Sequence, residues 1–95
     1  MHVVCPGSFD PITNGHVDII ERAAAQFDQV TVLVTFNPNK HGLFSVEERC
    51  DLIRKAVEHL PNVDVDSWNK LLVDYTTEHQ ISALVKGLRS SLDYA

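Results

Sequence analysis

The sequence predicts an α/β fold built on a doubly wound parallel sheet. Strand-like and helix-like segments alternate along the chain in the order β-α-β-α-β-α-β. The second strand-like segment, VTVLVTF at residues 30–36, is nearly continuous in apolar and β-branched residues, as is typical of a strand buried on both faces of a parallel sheet. No internal repeat or linker interrupts the alternation. We therefore expect residues 1–95 to form a single domain.

The first strand and the first helix flank an irregular segment. HVVC, residues 2–5, is a short β-prone run, and PGSFDPITNGH, residues 6–16, then breaks all periodicity with turn-forming residues. A helix is predicted over residues 16–26, because apolar residues recur there at helical spacing. These residues are Val17, Ile20, Ala24 and Phe27.

The remaining elements follow the same alternation. Ser45 and Glu48 form an S-x-x-E capping box, which predicts the start of the second helix. VDVDSW at residues 63–68 alternates in polarity like a half-buried or edge strand. A third helix is predicted over residues 70–79 and a fourth strand over residues 81–87. The apolar side of the second helix consists of Cys50, Ile53, Val57 and Leu60.

Composition excludes several classes of protein. The chain is 44% hydrophobic and 22% charged, which is typical of a folded globular domain. No apolar run has membrane-spanning length, so we expect no membrane partner and a cytoplasmic location. The formal net charge of −5 argues against a nucleic-acid partner, since such binding depends on basic residues. Cys5 and Cys50 lack the spacing of a zinc or redox motif, and we expect both to be buried.

The sheet topology indicates where a ligand would bind. In doubly wound sheets ligands lie at the carboxyl ends of the strands, where the strand order reverses. Three segments end up at this edge: residues 6–16, NPNK at residues 37–40, and KGLR at residues 86–89. They contribute three of the eight basic residues of an acidic chain, which predicts an anion-binding site. These three residues are Lys40, Lys86 and Arg89.

The segment after the first strand has the features of a phosphate cradle. Gly7 allows a sharp turn and a close approach of backbone N–H groups to a ligand. Ser8 offers a hydroxyl, and Gly15 and His16 open a helix whose positive end favours phosphate. Neither a Walker loop nor a G-x-G-x-x-G fingerprint is present, and Ser8 lies outside any G-x-S-x-G elbow. Phosphoryl or nucleotidyl transfer, which needs positioning and charge stabilisation, fits these residues better than hydrolysis.

PGSFDPITNGH resembles the signature of the nucleotidylyltransferase superfamily, whose T/H-x-G-H motif is present as Thr13-Asn14-Gly15-His16. Together with NPNK, LLVDY and VKGLR it is similar in particular to the bacterial phosphopantetheine adenylyltransferases. The resemblance covers essentially the whole chain with four segments in order. It implies a Rossmann-like sheet of which this chain has the N-terminal part, truncated before a further strand and helices.

The resemblance also implies residue roles. His16 matches the catalytic histidine that binds ATP and stabilises the charge on the α-phosphate. Ser8 matches a residue that contacts the phosphates of both substrates. The implied ATP-binding residues are Ser8, Phe9, His16, Gly87, Leu88 and Arg89. The implied phosphopantetheine-binding residues are Ser8, Lys40, Leu72 and Lys86, with Lys86 replacing an arginine of many relatives.

The implied reaction transfers AMP from ATP to 4′-phosphopantetheine, giving dephospho-coenzyme A and pyrophosphate. Mg²⁺ is expected with ATP, and no metal-ligand motif is read from the chain. Full-length relatives are homohexamers, which is the expectation for a complete family member. Two other functions stay open: another nucleotidylyltransferase of the superfamily, or a non-catalytic nucleotide-binding fragment.

Several of these residues also have structural explanations. Gly7 and Gly15 could serve only the turn and the helix start, and Phe9 and Leu72 could be core residues. Asp10 could cap its own turn, as Asp before Pro often does.

Overall fold

The computed structural model describes residues 1–40 and 42–85. Within them the predicted order of elements is confirmed. The strands are β1 (His2–Gly7), β2 (Gln29–Thr35), β3 (Val63–Trp68) and β4 (Ala83–Leu84). The helices are α1 (Asn14–Gln26), α2 (Val46–Ala56) and α3 (Leu72–Glu78).

The four strands form one parallel sheet in the order β3-β2-β1-β4. This arrangement confirms the predicted α/β class with a Rossmann-like parallel sheet. The register pairs Cys5 of β1 with Val32 of β2, and Val32 with Val65 of β3. On its other side β1 pairs with β4 through Val3 and Ala83. β1 and β2 are thus interior strands of the described sheet.

The two faces of the sheet are covered unequally. One face carries Val3, Cys5 and the alternate valines of β2, and it packs against Ile20 of α1 and Ile53 of α2. The opposite face has a smaller apolar cluster, in which Val4 and Leu33 contact Tyr75 of α3. The larger core lies beneath α1 and α2, whose first turns are capped by side chains, whereas α3 has no side-chain cap.

Both of these helices begin with a capping box. At α2, Ser45 Oγ accepts the N–H of Glu48, and the Glu48 carboxylate accepts the N–H of Ser45, which confirms the predicted start. At α1 the same exchange occurs between Thr13 and His16. The helix therefore begins at Asn14, two residues before the predicted start, because a histidine fills the position that Glu or Gln usually takes.

Among the described residues, no helix combines the length and the apolar character needed to span a membrane.

Candidate functional site

The strand order reverses at β1. The chain proceeds from β1 through β2 to β3 on one side, and then crosses to β4 on the other side. Ligands of doubly wound sheets bind outside the carboxyl ends of the strands at such a reversal. The site predicted from the sequence therefore lies where β1 ends, at Gly7 and the segment that follows it.

The turn after β1 depends on Phe9 rather than on Gly7. Gly7 is the last residue of the strand, whereas Phe9 has a positive φ of 48°. The Phe9 ring is 2% exposed and packs into the larger core. A Cβ on Gly7 would lie 3.1 Å from Cε2 of this ring, so glycine allows a closer approach of the ring than another residue would. The turn that the sequence attributes to Gly7 is thus made at a buried aromatic residue, and Gly7 provides the space for it.

His16 is held in a defined orientation and tautomer. Its Nδ1 accepts the backbone N–H of Thr13 at 3.0 Å, and its ring lies edge-on against Phe9 with 5.0 Å between centroids. Because Nδ1 accepts a hydrogen bond, the proton of the neutral ring is on Nε2. Partial burial lowers the pKa of His16 below its usual 6.5, which favours this neutral form. Nε2–H makes no hydrogen bond to another described residue and can donate to a ligand.

Ser8 lies where two clefts meet. One cleft, of about 470 Å³, is lined by Gly7 and Ser8 together with Lys70, Leu71 and Leu72. Thr35 and Ser8 also line a second cleft of about 200 Å³, which contains Lys40. The Ser8 side chain is exposed. The structure therefore brings Ser8 together with Leu72 on one side and with Lys40 on the other, as a shared contact would require.

Lys40 belongs to a loop that folds back on itself. Asn37 Oδ1 accepts the N–H of Asn39 at 2.9 Å, and the Asn37 carbonyl accepts the N–H of Lys40 at 3.0 Å. This Asx turn places Lys40 beyond the end of β2, where its side chain is exposed. Leu72, at the start of α3, is half-buried and packs on the smaller core while it lines the larger cleft. The sequence left open whether Leu72 is a core residue or a ligand contact. In the structure it packs on the core and also lines the cleft.

Phe9 has a structural role that is clear from its burial. Its side chain lines neither of the two clefts and contributes to the core instead. An ATP contact by Phe9 would therefore come from its backbone.

Two basic residues at the site were missed by the sequence analysis. Lys70 lines the larger cleft, with its Nζ 5.6 Å from the centroid of the Trp68 ring. It follows β3 directly, so the rule about strand ends could have identified it. Arg49 is 7% exposed and lines the cleft that holds Lys40. It follows two glutamates in a helix, and no signal in the sequence distinguishes it from a solvated surface charge.

Asp10 does not cap its own turn, which corrects that alternative. Its carboxylate accepts the backbone N–H groups of Leu43 and Phe44 in the loop before α2. Asp10 thus joins two loops that are distant in sequence.

The remaining predicted site residues lie outside the described part of the chain. They are Lys86, Gly87, Leu88 and Arg89.

Comparisons with known proteins identify the family of the chain. The family described as cytidylyltransferase-like matches residues 4–94. The chain is 75% identical over 95 residues to a phosphopantetheine adenylyltransferase of Corynebacterium efficiens, covering 99% of this chain and 60% of that protein. It is 73% identical over 95 residues to one of Corynebacterium glutamicum, covering 99% of this chain and 59% of that protein.

A third relative is the phosphopantetheine adenylyltransferase of Corynebacterium diphtheriae. It is 64% identical over 92 residues, which are 96% of this chain and 58% of that protein. The chain thus spans about 60% of the length of the curated relatives it matches. These matches confirm the resemblance drawn from PGSFDPITNGH and the three segments after it. Because the family match extends over nearly every residue and the fold agrees with it, the chain belongs to the cytidylyltransferase-like family.

Proposed function

We propose that this chain provides the site for transfer of AMP from ATP to 4′-phosphopantetheine, giving dephospho-coenzyme A and pyrophosphate. The observation that carries the proposal is the position of Ser8, which lines both the cleft with Lys40 and the cleft with Leu72. A residue at such a junction can contact two reactants at once. Three relatives are named phosphopantetheine adenylyltransferases, which supports phosphopantetheine as the acceptor and an adenylyl group as the transferred unit.

The reaction is an in-line displacement at the α-phosphorus of ATP. A phosphate oxygen of 4′-phosphopantetheine forms a bond to this phosphorus while the bond to the β-phosphate bridging oxygen breaks. The electron pair leaves with pyrophosphate, and no covalent intermediate with the protein forms. The chain therefore contributes orientation and charge stabilisation, which are the main terms in phosphoryl-group chemistry.

His16 acts as a hydrogen-bond donor in this scheme. Its neutral ring presents Nε2–H while Thr13 holds the opposite nitrogen. A donor fixed before the reaction stabilises the additional charge on the α-phosphate oxygens without reorganising. The free N–H groups in the first turn of α1 favour the same charge, since a helix N-terminus attracts phosphate.

The basic residues reduce the repulsion between two anionic substrates. Lys40 and Lys70 line the clefts at the carboxyl edge of a chain whose formal net charge is −5, whereas the charge of Arg49 in the same region is offset by Asp10. Concentrating cations in a cleft raises the local concentration of an anionic ligand. We propose Lys40, Leu72 and Lys86 as contacts of 4′-phosphopantetheine, and Gly87, Leu88 and Arg89 as contacts of ATP together with the Phe9 backbone.

Magnesium is part of the proposal as the ion that accompanies ATP, with phosphate oxygens as its ligands. Residues 1–40 and 42–85 contain no group of three or more His, Cys, Asp or Glu side chains that could hold a metal ion. A cytoplasmic location and a homohexameric complete protein are further parts of the proposal.

The test is the release of pyrophosphate from Mg-ATP, measured with and without 4′-phosphopantetheine. We expect release to depend on the acceptor. His16→Ala should lower turnover by about 100-fold, the usual loss when one transition-state donor is removed. Ser82→Ala is the matched control, because Ser82 is exposed and lies at the opposite end of the sheet.

Each alternative outcome has a distinct meaning. Release with a different phosphorylated acceptor would identify another nucleotidylyltransferase. ATP binding by a folded sample without release would identify a nucleotide-binding chain that lacks turnover. Equal turnover in His16→Ala and in the wild-type chain would contradict the role of His16.

A further inference from the structure

One acidic side chain joins the two loops that form the smaller cleft. Asp10 lies in the segment after β1, whereas Leu43 and Phe44 lie in the loop between β2 and α2. Asp10 Oδ2 accepts the N–H of Leu43 at 2.7 Å, and Asp10 Oδ1 accepts the N–H of Phe44 at 2.9 Å. Hydrogen bonds from backbone N–H groups to a carboxylate are stronger than neutral ones. Asp10 therefore fixes the distance between the two loops.

Arg49 completes this connection from α2. Its Nε donates to the Phe44 carbonyl at 3.0 Å and lies 3.5 Å from Asp10 Oδ1. Both backbone polar groups of Phe44 are thus held, the N–H by Asp10 and the carbonyl by Arg49. The Arg49 side chain is almost fully buried, so the pair is poorly screened by solvent.

Gly42 packs directly against this pair. A Cβ at Gly42 would overlap Asp10 Oδ2 and Arg49 Nη2. The Gly42 backbone therefore lies closer to the Asp10–Arg49 pair than a residue with a side chain would allow. The other side of Lys40 is held by the Asn37 turn described above. In the sequence, Lys40 thus stands between two anchored segments, the Asn37 turn and residues 42–44.

The same cleft is lined by Ser8, Asp10, Lys40 and Arg49. We propose that Asp10 and Arg49 are positioning residues, which hold Lys40 at the correct place relative to Ser8 for the phosphate of the acceptor. This inference rests on the proposed function and extends it to two residues whose own side chains need not touch the substrate. The lysine ammonium is carried on a stem of limited length, so a displacement of the Lys40 backbone shifts the set of positions that the ammonium can reach.

The test is a double-mutant cycle on the affinity for 4′-phosphopantetheine, measured by isothermal titration calorimetry on the full chain. Asp10→Asn keeps the shape of the side chain but replaces one carboxylate oxygen with a donor. If Asp10 acts through Lys40, Asp10→Asn should weaken binding by about tenfold in the wild-type background. In the Lys40→Ala background the same change should weaken binding by less than about twofold.

Gly42→Ala provides a second, independent perturbation of the same connection. It should reproduce the affinity loss of Asp10→Asn, and it should likewise depend on Lys40. Asp51→Asn is the matched control, because it removes one carboxylate from an exposed pair with Arg54 on α2. It should leave the affinity unchanged.

Equal weakening by Asp10→Asn in both backgrounds would overturn the proposal, since a general effect on the fold does not require Lys40. Unchanged affinity in Asp10→Asn would overturn it as well.

A ligand-free measurement separates this inference from the proposed function. Amide hydrogen exchange of Leu43 and Phe44 should accelerate in Asp10→Asn, while exchange in the interior strand β2 stays unchanged. Unchanged exchange at these two amides would contradict the positioning role whether or not the acceptor binds. A wild-type chain that binds no 4′-phosphopantetheine would contradict the proposed function. The hydrogen-exchange result would then still test whether Asp10 holds the loop at Leu43 and Phe44.

Discussion

At the scale of single residues, the site depends on side chains that combine a structural and a chemical role. His16 caps α1 through Nδ1 and presents Nε2–H for a ligand. Phe9 supports the His16 ring from the core, and its positive φ carries the chain away from β1. Non-glycine residues with positive φ concentrate where function requires a particular backbone path. The first turn of α1 is therefore held in a defined geometry by a cap and a ring contact.

The capping role of His16 leads to a prediction about pH. Because burial lowers the pKa of folded His16 below 6.5, the unfolded chain binds this proton more readily. The stability contributed by neutral His16 is complete above pH 6.5 and is lost as the pH falls through the lower folded pKa. We expect the wild-type chain to lose stability relative to His16→Gln as the pH falls below 6.5 and through the lower folded pKa.

Urea unfolding at several pH values measures this difference. Glutamine at the same position can accept the Thr13 N–H but does not titrate. His16→Ala is the companion variant, which loses the cap and should be less stable by about 0.5 kcal/mol at neutral pH. A difference between the wild-type chain and His16→Gln that is independent of pH would contradict the assigned tautomer.

At the scale of elements, periodicity and capping signals predicted the order of strands and helices. The apolar run in β2 and the Ser45–Glu48 box are local signals, and the structure has both where they were expected. The Asp10 hydrogen bonds and the burial of Arg49 depend on loops that meet only in the folded chain. No pattern within a short window contains that information, so these contacts could not be predicted from the sequence.

The capping box of α2 gives a prediction at this scale. Ser45→Ala should lower the free energy of unfolding by about 1 kcal/mol, because Ser45 Oγ satisfies a free N–H of the first turn. Thermal or urea denaturation measures the loss, with exposed Ser82→Ala as the control for removing a serine hydroxyl. An equal effect of the two substitutions would show that the cap contributes nothing.

At the scale of the whole molecule, stability is distributed unequally across the two faces of the sheet. The face under α1 and α2 has the larger cluster of buried residues, and the face under α3 has only Val4, Leu33 and Tyr75 fully buried among the described residues. Both cysteines belong to the larger cluster of buried residues. Cys5 lies in an interior strand, and Cys50 lies in α2.

The burial of the two thiols predicts slow and unequal rates of reaction with a thiol reagent. Burial raises the pKa of Cys5 to about 12 and also raises the pKa of Cys50, so neither forms a thiolate readily in the native chain. We expect a disulfide reagent to label Cys50 before Cys5, because a surface helix opens more easily than an interior strand. Cys50→Ala and Cys5→Ala each leave one thiol for a separate rate. Labelling of both thiols within seconds in a folded sample would contradict the packing.

The strand order also constrains how the chain acquires its shape during synthesis. β1 is made first, yet one of its two neighbours, β4, lies near the other end of the sequence, since Val3 pairs with Ala83. A ribosome-bound chain can therefore pair β1 with β2, and β2 with β3, early, but the edge of β1 that borders the strand reversal stays open until β4 has emerged. Long-range pairing of this kind forms slowly. Among the described strands, β4 is therefore the last to join the sheet, after the strands and loops that line both clefts have been synthesised, since the lining of these clefts extends only as far as Leu72.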